Sequence, residues 1–154
     1  MKLNKEIDSI EIFTSSIENE LIKKRVKQVL EWNMNKAISN KKIFYRMSIS
    51  LLILNASIPI INQLDNQSIL VTCVASLCTI ITGIITLLNF KDEWYQYRTC
   101  TESIKRECMM LNCRCGEYES EEREKLFLIK FEQILLNERT YWEKSKFNDN
   151  ILDK

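Results

Sequence analysis

The chain has 154 residues, of which 45% are apolar and 28% charged, a length that suits one domain or one membrane module with short flanks. Two glycines and one proline exclude collagen, a glycine-rich loop enzyme and most turn-rich all-β folds. The absence of histidine removes the usual imidazole base and zinc ligand, and a net charge of +1 gives no overall signature of nucleic-acid binding.

Residues 3–41 have the pattern of amphipathic helices. Apolar side chains recur at helical spacing among lysine, glutamate and asparagine, at Ile7, Ile10, Ile17, Leu21, Val26, Val29 and Leu30. The polar residues 14–16 predict a break between a short leading helix and a longer one. Ser15, followed three residues later by Glu18, forms a capping-box pattern for the start of the second helix.

Two long runs without charge dominate the middle of the chain. Met47–Leu64 has 18 such residues and Asn66–Phe90 has 25, with only Asp65 between them. As α-helices these runs are roughly 27 and 37 Å long, near or beyond a hydrocarbon thickness of about 30 Å. We predict a transmembrane hairpin over residues 42–90, with spans at about 43–63 and 67–90. The alternative is a hairpin buried in a soluble bundle, although so small a domain has little chain to cover it.

The charges beside the two spans predict their orientation. Basic residues flank the hairpin upstream and downstream, at Lys27, Lys36, Lys41, Lys42, Arg46, Lys91, Arg98, Lys105 and Arg106. The predicted turn, residues 62–66, has no basic residue. By the positive-inside rule both termini are cytoplasmic. Pro59 in the first span removes one backbone hydrogen bond and predicts a kink.

Residues 91–154 are predicted to form cytoplasmic helices, as are residues 1–41. A helix over 91–115 continues the second span, because no glycine or proline interrupts residues 84–115, and Gly116 ends it. We hypothesise that this helix transmits cytoplasmic rearrangements rigidly into the span. A last helix, about 121–146, buries Phe127, Leu128, Phe131, Ile134, Leu135 and Trp142. The predicted fold class is all-α, a two-span transmembrane helical hairpin continuous with cytoplasmic helices.

The second span has a face of small and hydroxylated residues that step by four and three. Its members are Thr72, Ser76, Thr79, Gly83 and Thr86. On the first span, Ser48, Asn55 and Asn62 repeat every seven residues. Such faces either pack helices closely or line a water-filled path. One hairpin cannot enclose a pore, so the second interpretation requires several copies.

The chain lacks the common patterns of catalytic and metal sites. Cys73 and Cys78 lie in the second span, while Cys100, Cys108, Cys113 and Cys115 lie on the predicted cytoplasmic side, where disulfides are rare. The spacing Cys108-x4-Cys113-x-Cys115 is not the paired spacing of zinc sites. We find no phosphate-binding loop, nucleophile–base pair or catalytic carboxylate pair. The sequence therefore predicts no enzyme, no cofactor and no metal.

The segment after the second span resembles the signature of a known family. Residues 89–109, NFKDEWYQYRTCTESIKRECM, are similar to the pattern W-x-x-Y-R-x-x-x-E-x-(L/I)-K-x-E of the SLATT family, the SMODS and SLOG-associating two-transmembrane effector domain. The matching positions are Trp94, Tyr97, Arg98, Glu102, Ile104, Lys105 and Glu107. Ile58-Pro59, Gly116-x-Tyr118 and Glu138-x-x-x-Trp142 extend the resemblance to about residues 30–145.

The resemblance implies a membrane effector of a prokaryotic conflict or antiphage system. Such effectors are thought to form pores or disrupt membranes, and are often encoded beside nucleotide second-messenger synthases or nucleotide-sensing proteins. The implied partners are the lipid bilayer, further copies of the chain and a nucleotide-signalling protein, with no nucleic acid. The trigger comes from a partner protein or from a small ligand bound by the cytoplasmic helices. The motif residues either hold the cytoplasmic helices together or couple a signal to the spans. The alternative function is a non-conducting membrane scaffold that recruits partners.

Overall fold

The computed structural model of the protein describes residues 10–63 and 68–147. In these ranges all regular secondary structure is helical, which confirms the predicted all-α class. The main elements are α1 (Glu20–Asn62), α2 (Ser68–Leu88), α3 (Phe90–Asn112), a 3-10 turn (Gly116–Glu119) and α4 (Arg123–Phe147). The two long apolar helices, α1 and α2, are followed by the remaining helices. Residues 64–66 of the predicted turn, and the predicted apolar position Ile7, lie outside the described residues.

The chain divides into two compact units. The span unit is Lys36–Tyr95, and the bundle unit consists of the described residues before Lys36 and after Tyr95. The span unit contains most of α1, all of α2 and the beginning of α3. The bundle unit contains the beginning of α1, the rest of α3, the 3-10 turn and α4.

The predicted break near residue 15 is confirmed, but the predicted cap is wrong. Helical residues end at position 14, and α1 begins at Glu20. The cap is Asn19, whose side-chain oxygen accepts hydrogen bonds from the backbone amides two and three residues further on, at 3.0 and 3.4 Å. Ser15 instead donates to the carbonyl of Ile12 at 2.9 Å, so it forms no capping box with Glu18.

The bundle unit has a continuous apolar core. Its buried side chains come from the leading residues, α1, α3, the 3-10 turn and α4: Ile10, Ile17, Val26, Leu30, Met34, Cys100, Ile104, Cys108, Leu111, Tyr118, Phe127 and Phe131. The predicted burial of Phe127 and Phe131 is confirmed, and their rings stack at 6.1 Å. Leu128, Ile134 and Leu135 pack against this core while remaining partly exposed. The side chain of Trp142 lies outside the described part of the chain.

Helix α3 ends earlier than the glycine pattern predicts. It stops at Asn112, and Arg114 takes a left-handed φ of 50°. The amide of Cys115 then donates to the carbonyl of Met110 at 3.1 Å, which is the long hydrogen bond of a Schellman motif. Gly116, with φ 65°, opens the 3-10 turn instead of ending the helix. The prediction was wrong because an arginine occupies the left-handed position that usually selects glycine.

The path from α2 to α3 differs from an uninterrupted helix at one residue. Asn89 lies between the two helices with a left-handed φ of 46°. Its amide still donates to the carbonyl of Ile85 at 3.2 Å, and its own carbonyl accepts from Asp92 at 3.0 Å. Asparagine is one of the few residues other than glycine that visits this conformation readily. The absence of glycine and proline predicted an uninterrupted helix, but Asn89 interrupts the helix without either residue.

Both α1 and α2 contain a segment long and apolar enough to cross a membrane. The most apolar 18-residue window is 0% buried in the first helix and 6% buried in the second. Large apolar side chains are exposed along both helices, among them Ile49, Leu52, Ile53, Ile60, Ile69, Ile80 and Leu87. A hairpin buried in a soluble bundle would have these side chains covered, and the described residues leave them exposed.

Candidate functional site

The stripe of α2, defined as Thr72, Ser76, Thr79, Gly83 and Thr86, lies beside the most buried line of that helix. That line is apolar and follows a similar spacing, at Val71, Val74, Cys78, Ile81 and Ile85. Cys78 is the most covered of these, with 7% of its surface exposed, whereas every member of the stripe is exposed. The stripe is therefore not the most tightly buried face of α2 within one chain.

A groove of about 590 Å³ lies between α1 and α2 in the span unit. It is lined by Asn55 and Ile58 from α1 and by Ala75, Cys78, Thr79, Thr82, Gly83, Thr86 and Leu87 from α2. Four of the residues singled out from the sequence thus come together, namely Asn55, Thr79, Gly83 and Thr86. Ser48, Asn62, Thr72 and Ser76 do not line this groove. Thr82 also lines the groove, but the sequence analysis did not include it because the stripe was traced through one residue per helical turn.

The hydroxyl groups of α2 donate hydrogen bonds within their own helix. Each donates to the carbonyl four residues earlier, with distances of 2.8 to 3.0 Å, for Thr72, Ser76, Thr79, Thr82 and Thr86. The amide of Asn55 likewise donates to the carbonyl of Leu51 at 2.9 Å. These donors are satisfied without a second helix, while each hydroxyl oxygen retains acceptor capacity.

Gly83 leaves open space on the groove side of α2. A Cβ atom built at this position would meet nothing within 4 Å outside the local helix backbone. Packing within one chain therefore does not require a glycine here. In a helix interior glycine lowers stability by about 1 kcal/mol relative to alanine. No contact within the single chain offsets this loss at Gly83.

Trp94, in the motif that resembles the SLATT signature, contacts α1 within the span unit. The Nζ atom of Lys41 lies 5.0 Å from the centre of the Trp94 ring, and the ring of Tyr45 lies 6.4 Å away at 62°. Beside it, the amide of Asn40 donates to the carboxylate of Glu93 at 3.1 Å. A cation over an aromatic face contributes about 0.5–1 kcal/mol at exposed sites. These contacts join the start of α3 to α1.

The charged residues of the motif pair along one face of α3. The guanidinium of Arg98 lies 3.1 Å from the carboxylate of Glu102, which also lies 3.7 Å from Lys105. Arg98 and Glu102 are about half exposed, so water screens their attraction and each pair contributes less than about 1 kcal/mol. Tyr97 meets the ring of Trp32 edge to face at 5.4 Å, joining α3 to α1 in the bundle unit.

Glu107 accepts a hydrogen bond from the buried hydroxyl of Tyr118 at 2.5 Å. The Nζ atom of Lys130 lies 5.3 Å from the Tyr118 ring and pairs with Glu117 at 3.1 Å. Burial, together with the nearby Glu107 carboxylate, raises the pKa of Tyr118 above its usual value. The SLATT-like motif thus contacts the Gly116-x-Tyr118 element through one charge-assisted hydrogen bond.

Two of the six free cysteines belong to the core of the bundle unit. The thiol of Cys100 donates to the carboxylate of Glu138 at 3.1 Å and accepts from the amide of Asn33 at 3.3 Å. Burial, reinforced by Glu138, raises the pKa of Cys100, and burial raises that of Cys108 to about 12. Both thiols therefore stay protonated near neutral pH. Among residues 10–63 and 68–147, no group of three histidine, cysteine, aspartate or glutamate side chains is placed to hold a metal ion.

A second cavity, in the bundle unit, was not foreseen from the sequence. It has a volume of about 530 Å³ and is lined by Val29, Trp32, Asn33, Tyr97, Leu135, Glu138, Arg139 and Glu143. Asn33 is fully buried, and its side-chain oxygen has no hydrogen-bond partner. The signal in the sequence was an asparagine on the apolar face of α1, three residues after Leu30.

Comparison with known proteins assigns the chain to a family. A family model described as "Protein of unknown function (DUF4231)" matches residues 28–126, a range that contains the groove and the segment from Trp94 to Tyr118. Searches of curated proteins and of solved structures returned no match. Because the matched range covers more than half of its length, the chain belongs to the DUF4231 family.

Proposed function

We propose that this protein is a membrane effector of a prokaryotic conflict or antiphage system that oligomerises and forms a pore or permeabilises the membrane. One observation carries the proposal. In one chain the least exposed positions of α2 are occupied by apolar residues, whereas the small and hydroxylated stripe is exposed. Within one chain no stripe member is buried, and Thr79, Gly83 and Thr86 only line an open groove beside α1. Around a common axis, the stripes of several copies would face one another or water.

The chemistry of the stripe suits both assembly and a polar lining. Small side chains let membrane helices approach closely, and Gly83 has open space beside it. The hydroxyl donors are already bonded to their own helix, which lowers the cost of burying them at a helix contact. Their remaining acceptor capacity is available to water or to an ion in transit. No charged ring accompanies them in residues 47–63 or 68–90, so the proposal specifies no ion.

We further propose that the chain is a SLATT-type effector with both termini in the cytoplasm. Support comes from the motif between Trp94 and Glu107, which lies wholly inside the range matched by the family model. A nucleotide-signalling partner protein would supply the trigger. The proposal includes no catalytic activity and no cofactor.

The second candidate function is a non-conducting scaffold anchored by the hairpin. It is favoured by the hydroxyl groups of α2, each of which has a hydrogen-bond acceptor within its own helix. The bundle unit, with a buried apolar core of its own, would then recruit partners while the stripe only packs. The two candidates differ in whether ions cross the membrane.

The discriminating experiment is expression in a bacterium with simultaneous measurement of membrane potential and dye entry. We expect rapid depolarisation and growth arrest with the natural chain. Thr79→Leu, which fills the groove, should abolish depolarisation while the protein still inserts. Ile80→Leu is the matched control, because Ile80 is exposed and does not line the groove. Depolarisation by Thr79→Leu at the natural rate would contradict a path through the groove. Stable insertion of the natural chain without depolarisation, even with its signalling partner present, would favour the scaffold.

A further inference from the structure

One face of α1 changes from cations to exposed apolar side chains at the edge of its charge-free run. The face carries residues spaced by four, three and four positions, namely Lys42, Arg46, Ile49 and Ile53. This spacing keeps the four side chains on one side of the helix. All four are exposed, Ile49 by 55% and Ile53 by 65%. Two positive charges therefore precede an apolar surface that the described residues leave uncovered.

The two cations are available to an external partner. Helix geometry sets them one turn apart, about 6 Å along the axis. In the described part of the chain, neither Lys42 nor Arg46 lies within ion-pair distance of a carboxylate. The carboxylate of Glu93, at the start of α3, instead accepts from the amide of Asn40 at 3.1 Å. An anion that reaches this face would thus meet two cations without displacing an internal carboxylate.

The neighbouring cation, Lys41, contacts aromatic rings instead. Its Nζ atom lies 5.0 Å from the centre of the Trp94 ring and 5.9 Å from that of the Tyr45 ring. Tyr45 is 49% exposed, and tyrosine and tryptophan are enriched at the level of lipid headgroups. These rings therefore agree with a position of Lys42 and Arg46 at the boundary between headgroups and acyl chains.

The dimensions of this face match one leaflet of a bilayer. From Arg46 to Ile53 the helix rises about 10 Å, which lies within the roughly 15 Å of hydrocarbon in one leaflet. We propose that this face binds an anionic phospholipid, with the phosphate between Lys42 and Arg46 and an acyl chain along Ile49 and Ile53. A free phosphate ion would leave the isoleucines uncovered, so the occupant is a lipid. The inference rests on the proposed membrane location of the spans and does not depend on conduction.

Retention of lipids by the full chain tests the site. The chain would be reconstituted in vesicles with equal amounts of phosphatidylglycerol and phosphatidylcholine of the same acyl chains, extracted in mild detergent and analysed by native mass spectrometry. We expect about tenfold enrichment of bound phosphatidylglycerol, because each basic residue near an anionic headgroup strengthens binding. Excess inorganic phosphate at constant ionic strength should not displace the lipid. Displacement would assign the two cations to a free anion and contradict the lipid proposal.

Variants locate the preference on this face. Lys42→Gln together with Arg46→Gln keeps both side chains long but removes both charges, and it should reduce the enrichment below about twofold. Lys41→Gln is the matched control, because it removes an adjacent charge that lies over Trp94, and it should retain at least about fivefold enrichment. If the double variant does not insert, Lys42→Gln alone decides and should lower the enrichment about threefold.

The outcomes distinguish this inference from the proposed function. Equal retention of the two lipids by the natural chain, or unchanged enrichment in the double variant, would overturn the inference. An equal loss in Lys41→Gln would do the same, because the preference would then reflect the general positive charge of the region. Failure of the natural chain to enter vesicles would contradict the proposed function as well, whereas entry without lipid preference would contradict this inference alone.

Discussion

The hydroxyl of Tyr118 donates a 2.5 Å hydrogen bond to the carboxylate of Glu107, and this contact joins two parts of the SLATT-like pattern that lie eleven residues apart. Tyr118 is fully buried in the bundle core, whereas Glu107 is only partly buried on α3. A carboxylate acceptor makes such a bond stronger than one between neutral groups. The motif glutamate therefore anchors the 3-10 turn to α3.

Removing this hydroxyl should destabilise the bundle unit. Tyr118→Phe keeps the buried ring but leaves the Glu107 carboxylate without its donor, and we expect a loss of about 1–2 kcal/mol in the free energy of unfolding. Chemical denaturation followed by circular dichroism measures it. Tyr141→Phe, at a tyrosine that is 62% exposed, is the control and should change stability little. Equal stabilities of the two variants would show that the hydrogen bond contributes nothing.

The thiols outside the spans should differ sharply in reactivity. Cys113 and Cys115 are exposed, while Cys100 and Cys108 are buried with raised pKa values. Since the thiolate is the reactive form, iodoacetamide at pH 8 should label the exposed pair well before the buried pair. Mass spectrometry of the peptides after timed labelling measures the order. Labelling of Cys108 as fast as Cys113 would show that the core opens on the timescale of the reaction.

The raised pKa of Cys108 also predicts a loss of stability at alkaline pH. Burial raises this pKa from 9.0 to about 12, so the thiol resists ionisation in the folded chain more than in the unfolded chain. The resulting stabilisation is complete below about pH 9 and declines as the pH rises from 9 to about 12, by at most about 1.4 kcal/mol per pH unit. Denaturation midpoints at pH 8, 9, 10 and 11 measure this slope. Cys108→Ala should be less stable at pH 8 but should show a shallower alkaline slope, and an unchanged slope would contradict the assignment.

The left-handed backbone at Asn89 predicts an unusual tolerance for glycine inside an apolar helical region. Asn89→Gly should leave the thermal stability unchanged or slightly raised, because glycine adopts a φ of 46° without strain. Asn89→Val should lower the free energy of unfolding by about 1–2 kcal/mol, since a β-branched residue is strained at this left-handed φ. Thermal unfolding in detergent tests both. Leu88→Val, one residue earlier in α2, is the control and should have only a small effect.

Substitution of Gly83 distinguishes helix packing within one chain from helix packing between copies. Gly83→Ala has room for its methyl group and should stabilise α2 by about 1 kcal/mol in a single chain. If the stripe joins copies, the same methyl group should hold helices apart and lower the oligomeric fraction. Analytical ultracentrifugation in detergent measures this fraction. Ala56→Val, at an exposed position of α1 outside the groove, is the control and should assemble normally. Normal assembly of Gly83→Ala would show that the stripe does not lie at the contact between copies.

Several features of the fold could be predicted from local sequence patterns alone, without knowledge of tertiary contacts. The charge-free runs predicted two long apolar helical segments, and most of the first run lies in α1 and most of the second in α2. The polar residues near Ser15 predicted a helix break that the structure also has. The ends of helices were harder to predict. Asn19, Asn89 and Arg114 terminate or cap helices through hydrogen bonds and left-handed backbone, which single residue types only weakly select.

The sequence by itself determined the helical class and the position of the apolar segments, because the distribution of charge along the chain is a one-dimensional property. It also revealed the stripe, since helical spacing alone puts Thr79, Gly83 and Thr86 on one face. Only the tertiary structure decided that the stripe lies beside the buried line of α2 and joins Asn55 in a groove. It alone brought Asn33, Cys100 and Glu138 together, because residues from three helices meet only when their apolar faces pack into one core.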